Sequence, residues 1–501
     1  MKKNLLILLF FLAFVEGGAV MCVELCSAKI LSPYFGTSIY VWAAVLGITL
    51  TALTTGYYFG GYLSSKISNT KAVAWLMLIG GLLLTLTPII SDFILPFTVE
   101  FSGQSQFYFL VGTIMSLMCF LFLPLMLFGA VSPMLINLLT SQAKESGKNS
   151  GTVYAVSTLG GIFSTFLVGF YLLPTYGITN TLYAYGLLVL LTAVILFIFS
   201  KNVDVKVVIV TLFALISFNF STHKTPGVIV ESEGILGNIK VMDRQYPNGK
   251  VYRELMVNNI SQTIMDRNNP NESLWNYVDV LMYNINNYSN GEKALLLGMG
   301  GGTVYKQLIS NGYDVDIVEI DARIEKLAKE YFYIDKAVEV IIDDARHYIR
   351  TTDKKYDVII YDLYHSETPP VHLMTKEAFA DIQHKLTDNG LLVVNFYGFI
   401  SGSKGRAARS LYTTLKHTAF DVHLIATDGE EHQRNLLFMC GKDELKAKQQ
   451  IIHKMIYEMD MNFDDALLLT DDKPVLEHIY LEAALQWRKD YNELNAKNFL
   501  R

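Results

Sequence analysis

The charges of this 501-residue chain are segregated. Residues 1–222 hold nine Lys, six acidic residues, no Arg and no His, while the rest of the chain carries 73 of the 88 charged side chains and all ten His. A stretch that long and that poor in charge reads as a membrane domain followed by a soluble one. Apolar segments run near 4–27, 39–63, 72–95, 107–139 (with Pro124 and Pro133 inside), 152–173 and 179–199. Each reaches the roughly 20 residues a spanning helix needs. Lys2 and Lys3 before the first segment suggest a signal peptide, but the run continues too far and no soluble domain follows it, so it is expected to be a span.

Loop lysines set the orientation. Lys2, Lys3, Lys66, Lys71, Lys144, Lys148, Lys201 and Lys206 fall on one side and Lys29 on the other, which makes the N-terminus cytoplasmic and returns the chain there after six spans. A further apolar stretch, Val207 to Phe218, has 12 residues. Runs of that length are more often interfacial or re-entrant than spanning, although Lys206 can extend one by snorkelling. Gly56 and Gly60 form a GxxxG pair, and Gly160 and Gly161 lie in another segment, a pattern that close helix packing explains. Glu16 and Glu24 lie within or near the end of the first segment, and a carboxylate at that depth is a candidate for a cation path. Cys22, Cys26, Cys119 and Cys440 lack metal-ligand spacing, so no metal is expected. The absence of a long basic run excludes nucleic acid as an expected partner.

Residues 223 to 264 alternate as short strands with Gly and Asn turns, and 272 to 288 read as a helix. From 293 onward strands and helices alternate: "KALLLGMG", "DVDIVEID", "VEVIIDD", "YDVIIYD" and "LLVVNFY" as strands, "TVYKQLISNG", "IEKLAKEYF" and "KEAFADIQHKLTDNG" as helices. That order predicts a largely parallel, Rossmann-like α/β sheet with helices on both faces. The expected organisation is a multi-span helical membrane domain over 1–222, a small β-domain plus helix over 223–290, and a nucleoside-binding α/β domain over 291–501.

Ligands in such sheets sit outside the carboxyl ends of the strands, and three strand ends carry suitable residues. Gly298, Gly300, Gly301 and Gly302 let backbone approach a ligand. Glu319 ends the next strand, where a carboxylate suits the two hydroxyls of a ribose. Asp343 and Asp344 end the third, where a carboxylate can accept from an adenine amino group. A fourth strand runs into Asp362, Tyr364, His365 and Glu367, a polar loop closed by Pro369 and Pro370. A carboxylate at a buried strand end needs partners, which makes Asp362 the strongest catalytic candidate there.

"LLLGMGGGT", "VEID", "DDAR", "YDVIIYD", "HLMTKEAF" and "LLVVN" resemble, in order, the motifs of the spermidine synthase family, which has the class I methyltransferase fold. The preceding strands with Gln262 and Tyr277 resemble that family's small N-terminal β-domain. "LTDDKPVLE" and, in the membrane half, "SPYFGTSIYVW" and "GTVYAVSTLGG" are similar to its membrane-fused members. The resemblance implies aminopropyl transfer from decarboxylated S-adenosylmethionine to a polyamine acceptor such as putrescine, with donor contacts from Gln262, Gly298, Gly300, Gly301, Gly302, Glu319 and Asp344. It also implies a homodimer and, because the donor is cytosolic, a multi-pass protein of the cell membrane, in contact with lipid, whose soluble domain faces the cytoplasm.

The chain departs from the family at the amine-binding carboxylates. The Asp of the family's glycine loop aligns with Gly301, and the proton-accepting Asp of its fourth strand end aligns with His365. Its L-D-G becomes Met256-Val257-Asn258-Asn259, and its Y-H-E becomes Tyr277-Val278-Asp279. Three readings follow. Aminopropyl transfer survives with Asp362, Asp279 and Glu367 supplying charge, Tyr277 and Tyr364 lining the acceptor site, and His365 as base, since a histidine titrates near neutrality. Alternatively the donor is S-adenosylmethionine, its carboxylate on the bare amide of Gly301, and the reaction is methyl transfer. In the third, the domain senses a nucleoside without turnover and couples it to the membrane helices.

Overall fold

The computed structural model describes residues 3–102, 106–140, 142–201, 204–218, 227–234, 236–245, 249–364 and 366–499. By its contacts the chain divides into two compact units, Met1–Thr225 with Glu233–Asn238, and Pro226–Ser232 with Ile239–Arg501.

The first unit is helical: α1 (Lys3–Phe35), α2 (Ile39–Lys66), α3 (Thr70–Ser102), α4 (Gln106–Leu117), α5 (Leu123–Leu139), α6 (Ser146–Leu167), α7 (Leu173–Phe199) and α8 (Val205–Ser217). Single π turns, Met118–Phe122 and Val168–Leu172, join α4 to α5 and α6 to α7. Each sits just before a proline, Pro124 or Pro174. Proline has no N–H and its ring presses on the carbonyl four residues back, and one extra residue in the turn absorbs both defects. Among the described residues, five helical runs are long and apolar enough to cross a membrane. The fifth, Ala143–Phe199, has 57 residues. At about 1.5 Å per residue it far exceeds a hydrocarbon core of about 30 Å. It breaks at Gly177 (φ 79°, ψ 179°), between the two spans expected at 152–173 and 179–199. Glu233, which belongs to this unit by its contacts, accepts hydrogen bonds from the Ile178 and Thr179 amides where the helix resumes. Helix α8 has 13 residues, about 20 Å, which is short for a span.

The second unit begins with an antiparallel meander, β1 (Val228–Ser232), β2 (Ile239–Gln245), β3 (Val251–Val257), β4 (Ile260–Asp266) and β5 (Asn269–Ser273). Asn258 (φ 50°) and Asn259 (φ 63°) form the two-residue β3–β4 turn, the left-handed pair that a tight hairpin requires. Helix α9 (Asn276–Tyr288) leads into an eight-stranded sheet. Its parallel part comprises β6 (Lys293–Leu297), β7 (Asp314–Glu319), β8 (Ile341–Ile342), β9 (Tyr356–Tyr361) and β10 (Leu386–Tyr397). The antiparallel strands β11 (Asp421–Ala426), β12 (Asn435–Gly441) and β13 (Lys454–Ile456) extend it. The intervening helices are α10 (Thr303–Ser310), α11 (Ala322–Tyr331), α12 (Ala345–Thr351), α13 (Lys376–Lys385) and α14 (Arg406–His417), and α15 (Leu476–Phe499) closes the chain. Leu295, Leu297, Ile359, Leu392 and Val394 pack on one face of the sheet, and Ala294, Leu296, Val358, Ile360 and Val393 on the other. The strands are therefore buried on both sides, as unbroken apolar runs in a parallel sheet require.

Two sequence expectations change. The helix expected over 376–390 stops at Lys385, because Leu386 pairs with Tyr356 of β9 and Gly390 follows in a bulged start to β10. The strand expected over 338–344 narrows to Ile341–Ile342, because Asp344 turns away to start α12. The strand order β13-β11-β12-β10-β9-β6-β7-β8 reverses between β6 and β9. The crevice beyond their carboxyl ends is the topological switch point, where ligands bind.

Candidate active site

Gly298 follows β6 and Asp362 follows β9, and the two meet at the switch point. A Cβ on Gly298 would lie 2.2 Å from the Asp362 carbonyl oxygen, and its φ of 89° is left-handed, so both space and backbone demand glycine. Glu319 at the end of β7 is only 8% exposed. It accepts from the Met299 amide at 2.9 Å and the Asp321 amide at 3.0 Å, which ties the glycine loop to the next strand end. Burial pushes its pKa up against the pull of those amides. Asp344 caps α12, accepting from the amides of Arg346 (3.0 Å) and His347 (3.1 Å), and its other oxygen lies 3.0 Å from His372 Nε2. Burial works to raise its pKa, but the His372 bond and the two amides outweigh it and hold Asp344 below the usual carboxylate range. Asp343 pairs with His347 at 2.6 Å.

The β-meander reaches this loop directly. The Gly301 amide donates to Thr263 Oγ1 at 2.8 Å. A Cβ there would lie 2.6 Å from Thr263 Cγ2 and 3.0 Å from Phe332 Cδ1, so the space an aspartate side chain would take is filled by β4 and the residue after α11. The same bond occupies the bare amide to which the methyl-transfer reading assigned a donor carboxylate. Gln262, beside Thr263, donates to the Ser366 carbonyl at 3.2 Å and thereby holds the loop after β9.

Asp362 is partly buried and held from both sides. Tyr277 of α9 donates its hydroxyl to Oδ2 at 2.9 Å, and Asn395 of β10 donates to Oδ1 at 2.8 Å. Asn395 in turn accepts from Asn435 Nδ2 at 2.9 Å. Burial raises the Asp362 pKa, and the Asn395 and Tyr277 bonds offset only part of the rise. Asp279 is not brought to this group. It is exposed, two residues and about 200° around α9 from Tyr277, and its pKa is raised by desolvation and by Glu272. The Tyr364 hydroxyl accepts from the Tyr397 amide at 2.5 Å and donates to the Asn395 carbonyl at 3.4 Å, which faces it toward β10.

Glu367, expected beside the substrate amine, is buried against Arg488 of α15. The guanidinium Nε donates to Oε1 at 3.1 Å and Nη2 donates to Oε2. Arg488 also donates to Ser366 Oγ at 3.0 Å and to the Asn258 carbonyl at 3.3 Å. The Glu367 charge is thus neutralised within the protein, and the residue anchors the loop instead of contacting substrate. His365, expected as the base, lies outside the described residues.

Asn395, Asn435, Thr263 and Arg488 belong to the site without being expected there from the sequence. Asn395 had a signal, an amide inside the buried run "LLVVNFY" that needs a partner. Arg488 had none, since it stands 121 positions from Glu367.

A family model described as the spermine/spermidine synthase domain matches residues 280–397. Three relatives are similar to parts of the chain. An N-terminal histidine N-methyltransferase of Emericella nidulans is 37% identical over 116 residues, covering 22% of this chain and 21% of that protein. A polyamine aminopropyltransferase of Vibrio vulnificus is 36% identical over 113 residues, covering 21% and 38%. The polyamine aminopropyltransferase 2 of Aquifex aeolicus is 23% identical over 436 residues, covering 81% and 82%. The chain thus spans well under half the length of the first two.

Proposed function

We propose, from the match of residues 280–397 to the spermine/spermidine synthase domain model, that the chain is an aminopropyltransferase, moving the group from decarboxylated S-adenosylmethionine to a polyamine acceptor such as putrescine. One observation carries the reading: a carboxylate at the switch point, Asp362, held between Tyr277 and Asn395 beside the glycine loop. The sulfonium makes the donor's adjacent carbon electrophilic, so the protein's task is alignment and proton removal. The acceptor arrives as an ammonium. It loses a proton, the free amine forms a C–N bond, the C–S bond breaks, and its electron pair returns to sulfur as a neutral thioether. Asp362 attracts the ammonium as a counter-charge. Its raised pKa makes it a better proton acceptor than an ordinary aspartate. His365, three residues on, is the further base in this reading. Glu319 and Asp344 serve the donor's ribose and adenine, with Gln262 and the backbone of Gly298, Gly300, Gly301 and Gly302 around it, and Tyr277 and Tyr364 line the acceptor side.

The domain assignment follows the sequence: 1–222 in the cell membrane, in contact with lipid, 223–290 as β-domain with helix, 291–501 as the nucleoside-binding domain. A cytosolic donor supports a cytoplasmic soluble domain, with α8 at the interface, and the family resemblance supports a homodimer. Methyl transfer from S-adenosylmethionine is the second reading, favoured by the similarity to a histidine N-methyltransferase over 116 residues and opposed by the engaged Gly301 amide.

Calorimetry of the full-length protein with each donor, alongside product analysis with putrescine, tests the proposal. Tighter binding of the decarboxylated donor and formation of spermidine are expected. Tighter binding of S-adenosylmethionine, or binding with no turnover, overturns it. Asp362→Asn is expected to lower kcat by about 10²–10⁴-fold, the range for loss of a general base, with donor affinity kept.

A further inference from the structure

The membrane unit repeats itself. Helix α1 packs chiefly on α6, α2 on α5, and α3 on α7, and glycine lies at each crossing, against backbone carbonyls in the first two. A Cβ on Gly160 would meet the Phe14 carbonyl oxygen at 1.9 Å, and one on Gly56 would meet that of Met126 at 2.3 Å. Gly17 lies against the Ser157 carbonyl, and Gly129 against that of Leu53. Gly18 meets Ser164, and Ala130 meets Gly60. In the third crossing Gly81 meets Leu190, and Gly186 meets Thr85. Each pair of contacts is the other displaced by a constant number of residues, so that α1, α2 and α3 correspond to α4–α5, α6 and α7. An exchange that swaps the first two crossings and maps the third onto itself is a two-fold relation. Three segments per half place the second half in the opposite sense across the membrane, and inverted repeats of this kind put their sites where the halves meet, near the midplane.

The repeat is broken at one polar pair. Glu16 of α1 is 3% exposed, and its Oε2 accepts from Ser157 Oγ of α6 at 3.0 Å. Among the described residues nothing pairs with Oε1. The corresponding positions of the other half are Phe128 and Leu53, both apolar. The carboxylate is therefore no part of the shared packing scheme. Residues 1–222 contain no Arg or His, and their nine Lys lie at the segment ends and loops, so no side chain at that depth supplies a counter-charge, and a carboxylate there is neutralised by a proton or by a cationic ligand. One carboxylate and one hydroxyl fall short of the six or more oxygens a divalent metal ion takes. They suit an alkylammonium, with three N–H donors. One turn before Ser157, the ring of Tyr154 meets that of Tyr57 of α2 edge-on at 6.4 Å, and aromatic faces attract such cations.

We propose that the membrane unit binds an amine cation at Glu16 and carries it across the membrane. Only the choice of a polyamine as probe rests on the aminopropyltransferase reading. Full-length protein in liposomes, without any aminopropyl donor, is offered labelled putrescine, so transport is read independently of transfer. Uptake above protein-free liposomes is expected. Glu16→Gln should slow it about tenfold or more, the loss of a charged hydrogen bond, while Glu16→Asp and Phe128→Leu keep uptake and aminopropyl transfer stays unchanged in all three. Equal uptake by Glu16→Gln, no uptake by the parent protein, or proton flux without amine uptake overturns the proposal.

Discussion

At Asp362 three effects compete. Burial disfavours the ionised carboxylate, and the Tyr277 hydroxyl and the Asn395 amide favour it, yet burial wins. Tyr277→Phe removes a donor that lowers the Asp362 pKa, so the carboxylate ionises at higher pH. The acid-side limb of a kcat–pH profile is expected to move to higher pH, with the plateau falling by no more than about tenfold, the loss of one hydrogen bond. A limb that stays in place or moves to lower pH would show that Asp362 is not the titrating group. This residue was legible in the sequence because a carboxylate directly after "VIIY" must find partners. Their identity was not, since Tyr277 and Asn395 come from a helix and a strand 85 and 33 positions away.

Arg488 and Glu367 join the last helix to the loop after β9. Their side chains are 4% and 7% exposed. Removing one member of such a buried pair leaves an uncompensated charge and costs about 3–5 kcal/mol, whereas replacing both with apolar residues is often neutral. Arg488→Met should therefore lower the thermal midpoint of the second unit's transition, and Arg488→Met with Glu367→Leu should recover most of the loss. If the double variant is no better than the single one, the pair is not what anchors the loop. The glycine loop makes a second test. Gly301→Asp introduces the aspartate of the glycine loop that this one resembles but drives a Cβ against Thr263 and Phe332. Overpacking of this kind costs about 1–3 kcal/mol, so the variant should be less stable and no faster with putrescine. Faster transfer would show that the loop opens. The strands β6, β7 and β9 and the turns after them were legible because apolar runs and glycines are local signals. The end of α13 was not, because pairing of Leu386 with β9 overrides the helical pattern that "KLTDNG" continues.

For the whole chain, the lysine asymmetry predicts that the N-terminus and the loops at 66–71, 144–148 and 201–206 share one side of the membrane, and a stretch at 207–218 that does not cross keeps the second unit on that side. In a background lacking the four native cysteines, Lys148→Cys and Met459→Cys, the latter at an 89% exposed position, should react with an impermeant thiol reagent only after the membrane is permeabilised. Labelling of Met459→Cys in intact cells would mean that the stretch at 207–218 crosses, and it would remove the cytosolic donor from reach. The division into an apolar and a charged half, the parallel α/β order and the glycine loop at the first strand end were determined by the sequence alone. Hydrophobicity, period and backbone freedom act within a few residues and are written where they act. The tertiary structure decided which groups are engaged: Glu367 on Arg488, the Gly301 amide on Thr263, Asp344 on its own helix and His372, and Glu16 on a symmetry-breaking serine. Those pairings depend on distant segments meeting in three dimensions, and a buried charge takes whichever partner the packing brings.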